Sequence, residues 1–204
     1  MRDRLHSGYL LTVIFLAVGC WLLATSSFAS PQGHTIRVAI VQDAQSFYMR
    51  IRGNYEIRDL KDNRVIRKGK GLPRQKAVVS SDKIVSKSLV FASRRLHIMP
   101  KKGGYIYINN RIYRGGIILI RKDNARILIV NEVGVEDYVK GILCKEIAPW
   151  WPMDALKAQS IIARTYAFYQ KQFPKDKDFD VTDDIYSQVY GGKTSERWRA
   201  NRAV

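Results

Sequence analysis

Residues 135–167 read VEDYVKGILCKEIAPWWPMDALKAQSIIARTYA and contain the change of periodicity that decides the fold. From here on, apolar residues recur at the spacing of one helix face: Val135, Tyr138, Val139, Ile142 and Leu143. Glu136 and Asp137 fall in the first turn, where the helix dipole favours negative charge. Because Pro149 disfavours continuation, the pattern predicts a helix that begins at Val135 and ends before Pro149.

A second helix is predicted to begin near Pro152, a residue suited to the first helical position, and to run to Gln172. Its apolar residues surround most of the circumference, which is typical of a buried helix. They are Ala155, Leu156, Ala158, Ile161, Ile162, Ala163, Tyr166 and Ala167. Within this helix, Lys157, Gln159 and Arg164 are therefore expected to have partners or to face a cleft.

The sequence before the helices, over residues 34–130, alternates with the two-residue period of strands, as in TIRVAIV. Hairpin turns are predicted at Asn109-Asn110, which tolerate left-handed backbone angles, and around Asp123-Asn124.

Residues 60–80 are rich in charge and glycine and are interpreted as a loop or a long excursion. The predicted fold class is α+β. A strand-rich basic part at 34–110 is followed by a part at 111–204 that carries the helices.

The formal net charge is +17, and most of the excess lies at residues 50–102, which hold sixteen Lys and Arg against four Asp and Glu. In an exported protein, this surplus predicts contact with anionic envelope polymers rather than with nucleic acid. A solvated basic face without a partner remains the alternative.

The first 29 residues have the pattern of a signal peptide. Arg2 and Arg4 precede an apolar run at 9–24, and TSSFAS predicts cleavage after Ala29. A retained membrane anchor and lipidation at Cys20 are alternatives, and all three predict export to the cell envelope. Cleavage would leave Cys144 alone, either as a small buried residue or as a reactive thiol.

Glu146 lies where the first helix ends, one short segment before Trp150 and Trp151. A helix C-terminus and apolar rings both disfavour a charged carboxylate, so we predict a raised pKa, as a general acid requires. The alternative is a surface carboxylate paired with Lys145 or Arg164.

Three stretches resemble the family of stage II sporulation protein D and the related amidase enhancers. They are VNEVGVEDYVKGIL at 130–143, KEIAPWWPMDALKAQSIIARTYA at 145–167 and TDDIYSQVYGG at 182–192. The resemblance implies a peptidoglycan lytic transglycosylase with Glu146 as catalyst. For the amidase-enhancer members, it implies instead a non-catalytic wall-binding activator of an N-acetylmuramoyl-L-alanine amidase.

A lytic transglycosylase needs one acid and base, because the sugar's own 6-hydroxyl attacks the anomeric carbon, whereas glycosidases usually need two carboxylates. Trp151 is expected either to stack on a sugar or to pack between the helices. The other motif residues could hydrogen-bond a glycan or hold the groove together: Gln159, Arg164, Ser187, Gln188 and Tyr190.

The chain departs from the family pattern at several positions. Ile147 replaces a Met, the proline lies one place later at Pro149, and Asp154 replaces a Glu. The family continues past ERWRANRAV at 196–204 into a Cys-containing segment that holds zinc in some members. We therefore expect a truncated family domain, with an inactive fragment as a further alternative. No metal and no cofactor are predicted.

Overall fold

An eleven-stranded sheet runs through the computed structural model, which describes residues 34–204. Within these residues the strands are β1 (Thr35–Ala44), β2 (Ser46–Asp59), β3 (Val65–Val79), β4 (Ile84–Ser86), β5 (Leu89–Phe91), β6 (Arg95–Pro100), β7 (Tyr105–Ile108), β8 (Arg111–Tyr113), β9 (Gly116–Arg121), β10 (Ile127–Gly134) and β11 (Val181–Thr182). The helices are α1 (Val135–Glu146), α2 (Met153–Gln172) and α3 (Trp198–Asn201), with a 3-10 turn at Gly192–Ser195. The predicted α+β class is confirmed. The predicted signal peptide, its anchor alternative and Cys20 lie outside the described residues.

The sheet follows the order β11-β1-β10-β9-β6-β2-β3-β4-β5, and β7 pairs with β2 and β8. Strand β1 pairs antiparallel with β10 and parallel with β11, so the segment after α2 returns to the sheet. The β7–β8 hairpin spans the division predicted between residues 110 and 111. The two predicted parts therefore share one sheet.

Both predicted hairpin turns are present. Asn109 and Asn110 have φ of 47° and 73°, the left-handed angles that a two-residue turn between β7 and β8 requires. The turn between β9 and β10 includes Asp123 and Asn124, but its left-handed residue is Ala125, with φ of 55°. The second turn thus has a different local geometry from the one its Asp-Asn pair indicates.

The interpretation of residues 60–80 as a loop is wrong, because β3 occupies most of this stretch and pairs with β2 over nearly its whole length. Leu72 and Val79 point inward and are buried, whereas Arg74 and Lys76 point outward into solvent. Charged residues are depleted in strands mainly because strands pack, and here one face does not. Long-range pairing with β2 outweighs the local composition.

Helix α1 has the predicted bounds and packs its apolar face against the sheet. Tyr138, Val139 and Ile142 are fully buried in the main hydrophobic core. The face is the one that the spacing of apolar residues predicts.

Helix α2 directly follows Pro152 and ends at Gln172, as predicted, but the prediction of an all-round buried helix is wrong. Its buried residues are Leu156, Ser160, Ala163 and Ala167, which form one narrow stripe. Ile161 and Ile162 are 61% and 60% exposed. The stripe packs on α1 and the C-terminal segment, and the described residues place nothing over the opposite face. Within residues 34–204, no helix has both the length and the apolar character to cross a bilayer.

Candidate functional site

A cluster of three buried tyrosines fixes the segment after β11 against α1. The ring of Tyr190 lies 5.3 Å from that of Tyr138 and 6.0 Å from that of Tyr113. Burial raises the pKa of all three phenols, that of Tyr113 to about 12. These hydroxyls are therefore neutral donors at physiological pH.

The hydroxyl of Tyr190 donates to Oδ1 of Asn131 at 2.7 Å. Asn131 is fully buried, and its Nδ2 donates to the carbonyls of Arg114 at 2.8 Å and Gly116 at 2.9 Å. All of the amide's polar atoms thus have partners, as a buried side chain requires. This bond joins the VN and SQVYGG motifs, which lie 59 residues apart.

Gly141 lets the segment after β11, residues 183–191, come close to α1. We call this segment the docked loop. A Cβ at this position would lie 2.4 Å from Cε2 of Tyr190, so any larger residue would push the ring away. The Gly141 carbonyl accepts from the backbone N–H of Gly191 at 3.2 Å and also from the hydroxyl of Ser195. In addition, the hydroxyl of Tyr138 donates to Oε1 of Gln188 at 3.2 Å.

The docked loop places a backbone donor at Glu146. The N–H of Val189 donates to Oε1 of Glu146 at 3.2 Å. Glu146 lies at the end of α1, as predicted, and is exposed. The predicted crowding by tryptophans is wrong, because Trp150 and Trp151 are 79% and 51% exposed.

The alternative pairing of Glu146 with Arg164 is also wrong. The guanidinium of Arg164 binds both carboxylate oxygens of Glu136 at 2.7 Å and the Val204 carbonyl at 3.2 Å. This contact ties α2 to the first turn of α1. Within residues 34–204, no ion pair joins Lys145 to Glu146.

A cleft of about 510 Å³ lies between the end of α1 and the docked loop. Glu146 is not among its lining residues, but its neighbour Lys145 and its hydrogen-bond donor Val189 are. Its lining includes Val189, Trp150 and three cations, Arg111, Lys145 and Arg197. The thiol of Cys144 also lines it, and burial raises the pKa of that thiol. The cleft therefore offers an aromatic surface and positive charge beside one carboxylate.

Trp151 is not among the lining residues, and its carbonyl accepts from Arg199 at 2.6 Å. Its half-exposed ring does not fit the interpretation as a core residue packed between the helices. Stacking of Trp151 on a sugar stays a prediction. The tryptophan that does line the cleft is Trp150, its neighbour in the sequence.

The remaining predicted site residues mostly make structural contacts. Gln188 and Tyr190 are buried in the tyrosine cluster, and Tyr190 also lines the cleft. The hydroxyl of Ser187 accepts from the Thr182 N–H at 3.1 Å. Gln159 is half-buried on α2 and is not a lining residue. These contacts fit the role of holding the groove together.

An ion pair of Asp183 with Arg111, 3.1 Å apart, was not predicted from the sequence. Burial raises the pKa of Asp183 to about 6, the Arg111 charge opposes the shift, and Asp184 adds to it. Arg111 lines both the cleft and a neighbouring hollow of about 360 Å³ that contains Asp183. The TDD triplet signals acidic residues here, but it does not show which of the two aspartates pairs with Arg111.

No group of three His, Cys, Asp or Glu side chains that could hold a metal ion occurs in residues 34–204.

Comparison with known proteins finds similarity over part of the chain. Residues 123–204 match the family model described as stage II sporulation protein. An uncharacterized protein of Brachyspira hyodysenteriae is 44% identical over 98 residues, which cover 48% of this chain and 26% of that protein. An uncharacterized protein of Chlamydia pneumoniae is 38% identical over 109 residues, which cover 48% of this chain and 40% of that protein.

The chain thus spans between about a quarter and two fifths of the length of these curated relatives. No solved structure matches it. The resemblance predicted from the motifs is confirmed over residues 123–204, which match the model of the stage II sporulation protein family.

Proposed function

We propose that this protein cleaves the glycan strands of peptidoglycan as a lytic transglycosylase, with Glu146 as its single acid and base. The observation that carries the proposal is the position of Glu146. Its carboxylate is exposed at the end of α1, beside the cleft, and accepts a hydrogen bond from the Val189 N–H. The cell-wall-related role of the family supports the choice of substrate.

The reaction needs only this one side chain for proton transfer. Protonated Glu146 gives its proton to the glycosidic oxygen as the bond to the anomeric carbon breaks. The carboxylate then takes the proton of the sugar's own 6-hydroxyl, which attacks the anomeric carbon and closes a 1,6-anhydro ring. Water is not consumed. General acid–base catalysis of this kind contributes roughly 10²–10⁴-fold in rate.

The Val189 N–H can orient Glu146 without taking both of its oxygens. A hydrogen bond to Oε1 fixes one side of the carboxylate and leaves Oε2 for proton transfer. Because the tyrosine cluster and Gly141 fix the loop that carries Val189, the donor stays in place when no substrate is bound.

The lining of the cleft suits a peptidoglycan strand. The exposed ring of Trp150 can pack on the apolar face of a sugar. Arg111, Lys145 and Arg197 can bind the carboxylates of the lactyl group or the stem peptide. Trp151 is half exposed and remains a predicted stacking surface.

Product analysis with purified glycan strands tests the proposal. We expect the full chain to release fragments with 1,6-anhydro ends, each lighter by one water than a hydrolysis product. Reducing ends would indicate a hydrolase, and unchanged strands would show that the chain does not cleave glycan. The Glu146→Gln variant should not form these ends. The Asp154→Asn variant is its matched control, since the Asp154 carboxylate is 94% exposed at the start of α2.

The second candidate function is activation of a cell-wall amidase by direct contact. The exposed face of α2 favours it, because Ile162, Tyr169 and Phe173 lie on one side of the helix and are each more than half exposed.

An amidase assay on sacculi separates the two functions. If the protein is an activator, its Glu146→Gln variant should raise the amidase rate as much as the parent does. Its Ile162→Lys/Tyr169→Lys variant should not raise the rate. Retained stimulation by the double variant would contradict docking on α2.

A further inference from the structure

A second surface, distinct from the cleft at the end of α1, has the features of an anion-binding site. It lies on the outer face of the sheet, where β2 runs between β3 and β7. Strand β2 alternates here, so that Phe47 and Met49 are buried while Tyr48 and Arg50 point outward. The register places Arg50 opposite Tyr107 of β7, and Tyr48 opposite Lys76 of β3.

Two arginines on this face are held against tyrosine rings. The guanidinium of Arg74 lies 3.9 Å from the centre of the Tyr48 ring, and that of Arg50 lies 5.3 Å from the centre of the Tyr107 ring. The Nε of Arg74 also donates to Oδ1 of Asn110 at 3.4 Å. Together with Met49, these five residues line an open hollow of about 230 Å³, which we call the arginine–tyrosine hollow.

Stacking leaves the hydrogen-bonding capacity of the arginines available. A guanidinium uses its flat face against an aromatic ring, and its N–H groups point outward from its edge. Because the rings restrict the rotamers, less entropy is lost when an anion binds. Both arginines are exposed, so an anion can reach their donors from solvent.

These arginines also lack acidic partners, unlike three other arginines of the sheet. Arg37, Arg58 and Arg95 each bind a buried carboxylate within 2.6 Å. Within residues 34–204, no Asp or Glu lies within 4.0 Å of Arg50 or Arg74. Exposed Arg52 and Lys76 add uncompensated positive charge on either side.

We infer that the arginine–tyrosine hollow binds phosphate groups of an anionic cell-envelope polymer. A phosphate can accept hydrogen bonds from two guanidiniums at once, and neighbouring strands set the two arginines roughly 5 Å apart at the backbone. A polymer of repeated phosphates would gain further from Arg52 and Lys76.

Single-stranded nucleic acid is the rival polyphosphate, and the geometry disfavours it. Sequence-tolerant binding of single strands depends on bases that stack on open aromatic faces. Here Arg74 covers the outer face of Tyr48 at 3.9 Å. The site therefore offers charge and hydrogen bonds, but it does not offer a free stacking platform.

Binding of the full chain to poly(glycerol phosphate) tests the inference. At 0.15 M salt, we expect Arg50→Gln/Arg74→Gln to weaken binding by about tenfold or more, because two charge-assisted contacts are lost. The control Lys157→Gln/Lys171→Gln removes the same charge from α2 and should change binding by less than about threefold, since exposed charges at a distance are screened. Thermal melts verify that each variant is folded.

A second variant separates a built site from a general basic field. Arg50→Lys/Arg74→Lys keeps the charge but removes the planar donors, so we expect a loss of binding intermediate between the parent and the Gln variant. Parent-like binding by the Lys variant, or an equal loss in the α2 control, would overturn the inference.

Three further ligands test whether the site prefers an envelope phosphate polymer. Inorganic phosphate should compete weakly, as a single copy of the repeating group, and a carboxylate polymer such as hyaluronate should bind less well. Equal or tighter binding of an oligothymidylate to the same residues would overturn the assignment to an envelope polymer. None of these outcomes depends on glycan cleavage, which the Glu146 cleft would perform separately.

Discussion

Helices α1 and α2 follow each other in the chain, yet they use their apolar residues in opposite ways. In α1, an ordinary amphipathic pattern is fully matched by neighbours, and Tyr138, Val139 and Ile142 have no exposed surface. In α2, a richer apolar pattern meets partners on one narrow stripe only, and Ile161 and Ile162 remain largely exposed.

Burial therefore depends on what surrounds a helix rather than on its own composition. Helix α1 lies between the sheet, the tyrosine cluster and α2. That surrounding fixes its C-terminal end, and with it the position of Glu146 relative to Val189. Helix α2 packs through a narrow stripe that includes Ala163 and Ala167, and it leaves Ile161 and Ile162 largely exposed.

An Ile→Ala substitution in each of the two helices should show this contrast most strongly. Ile142→Ala in α1 should lower the free energy of unfolding by about 2–5 kcal/mol, because it leaves a cavity in the core. Ile162→Ala in α2 should change it by less than about 0.5 kcal/mol, since that side chain is 60% exposed. Urea unfolding of both variants measures the contrast, and similar losses would show that α2 is covered in solution.

Partial burial of Asp183 beside β1 and β8 predicts a pH effect. The folded-state pKa of Asp183 is raised to about 6 from an ordinary 3.8, so the folded state holds this proton more tightly than the unfolded state. Its ionisation therefore costs stability, and the parent should lose stability relative to Asp183→Asn as the pH rises from about 4 to 6, with no further change above that.

The relative loss should reach at most about 3 kcal/mol, at 1.36 kcal/mol per pKa unit. Unfolding of parent and variant at several pH values measures it. Parallel stability profiles from pH 4 to 7 would contradict the burial of Asp183. The difference between the two proteins is the relevant quantity, because the pKa values of Glu136, Asp178 and Glu196 are lowered by arginine partners and give the opposite trend.

Removal of one hydroxyl gives the smallest and most local comparison. Tyr190→Phe should cost about 1–2 kcal/mol, because Oδ1 of buried Asn131 loses its partner. Tyr169→Phe, in the exposed face of α2, should have no measurable effect. Thermal unfolding of the pair tests this, and an unchanged Tyr190→Phe variant would mean that water replaces the hydroxyl.

Local signals in the sequence predict the elements that local physics dominates. The bounds of α1, the Asn109-Asn110 turn and the position of Glu146 at a helix end all follow from spacing, turn chemistry and Pro149. Strand β3 is different, because its outward Lys and Arg residues resemble a loop until its partner β2 is known.

Long-range contacts explain the remaining errors. The partner of Arg164 is Glu136 rather than Glu146, and the partner of Tyr190 lies 59 residues away at Asn131. Likewise, Trp150 and Trp151 are exposed because no residue among 34–204 packs over their rings. None of these pairings leaves a periodic trace in the sequence.

The central claim, that Glu146 at the end of α1 performs the proton transfers, is tested most directly by the initial rate of anhydro-end formation. Parent and Glu146→Gln are compared at equal concentration on purified glycan strands, with sacculus binding measured in parallel. We expect at least about a 100-fold lower rate for Glu146→Gln, with sacculus binding unchanged, because the amide keeps the shape of the side chain but cannot transfer the proton. A variant that forms anhydro ends within about threefold of the parent rate would contradict it.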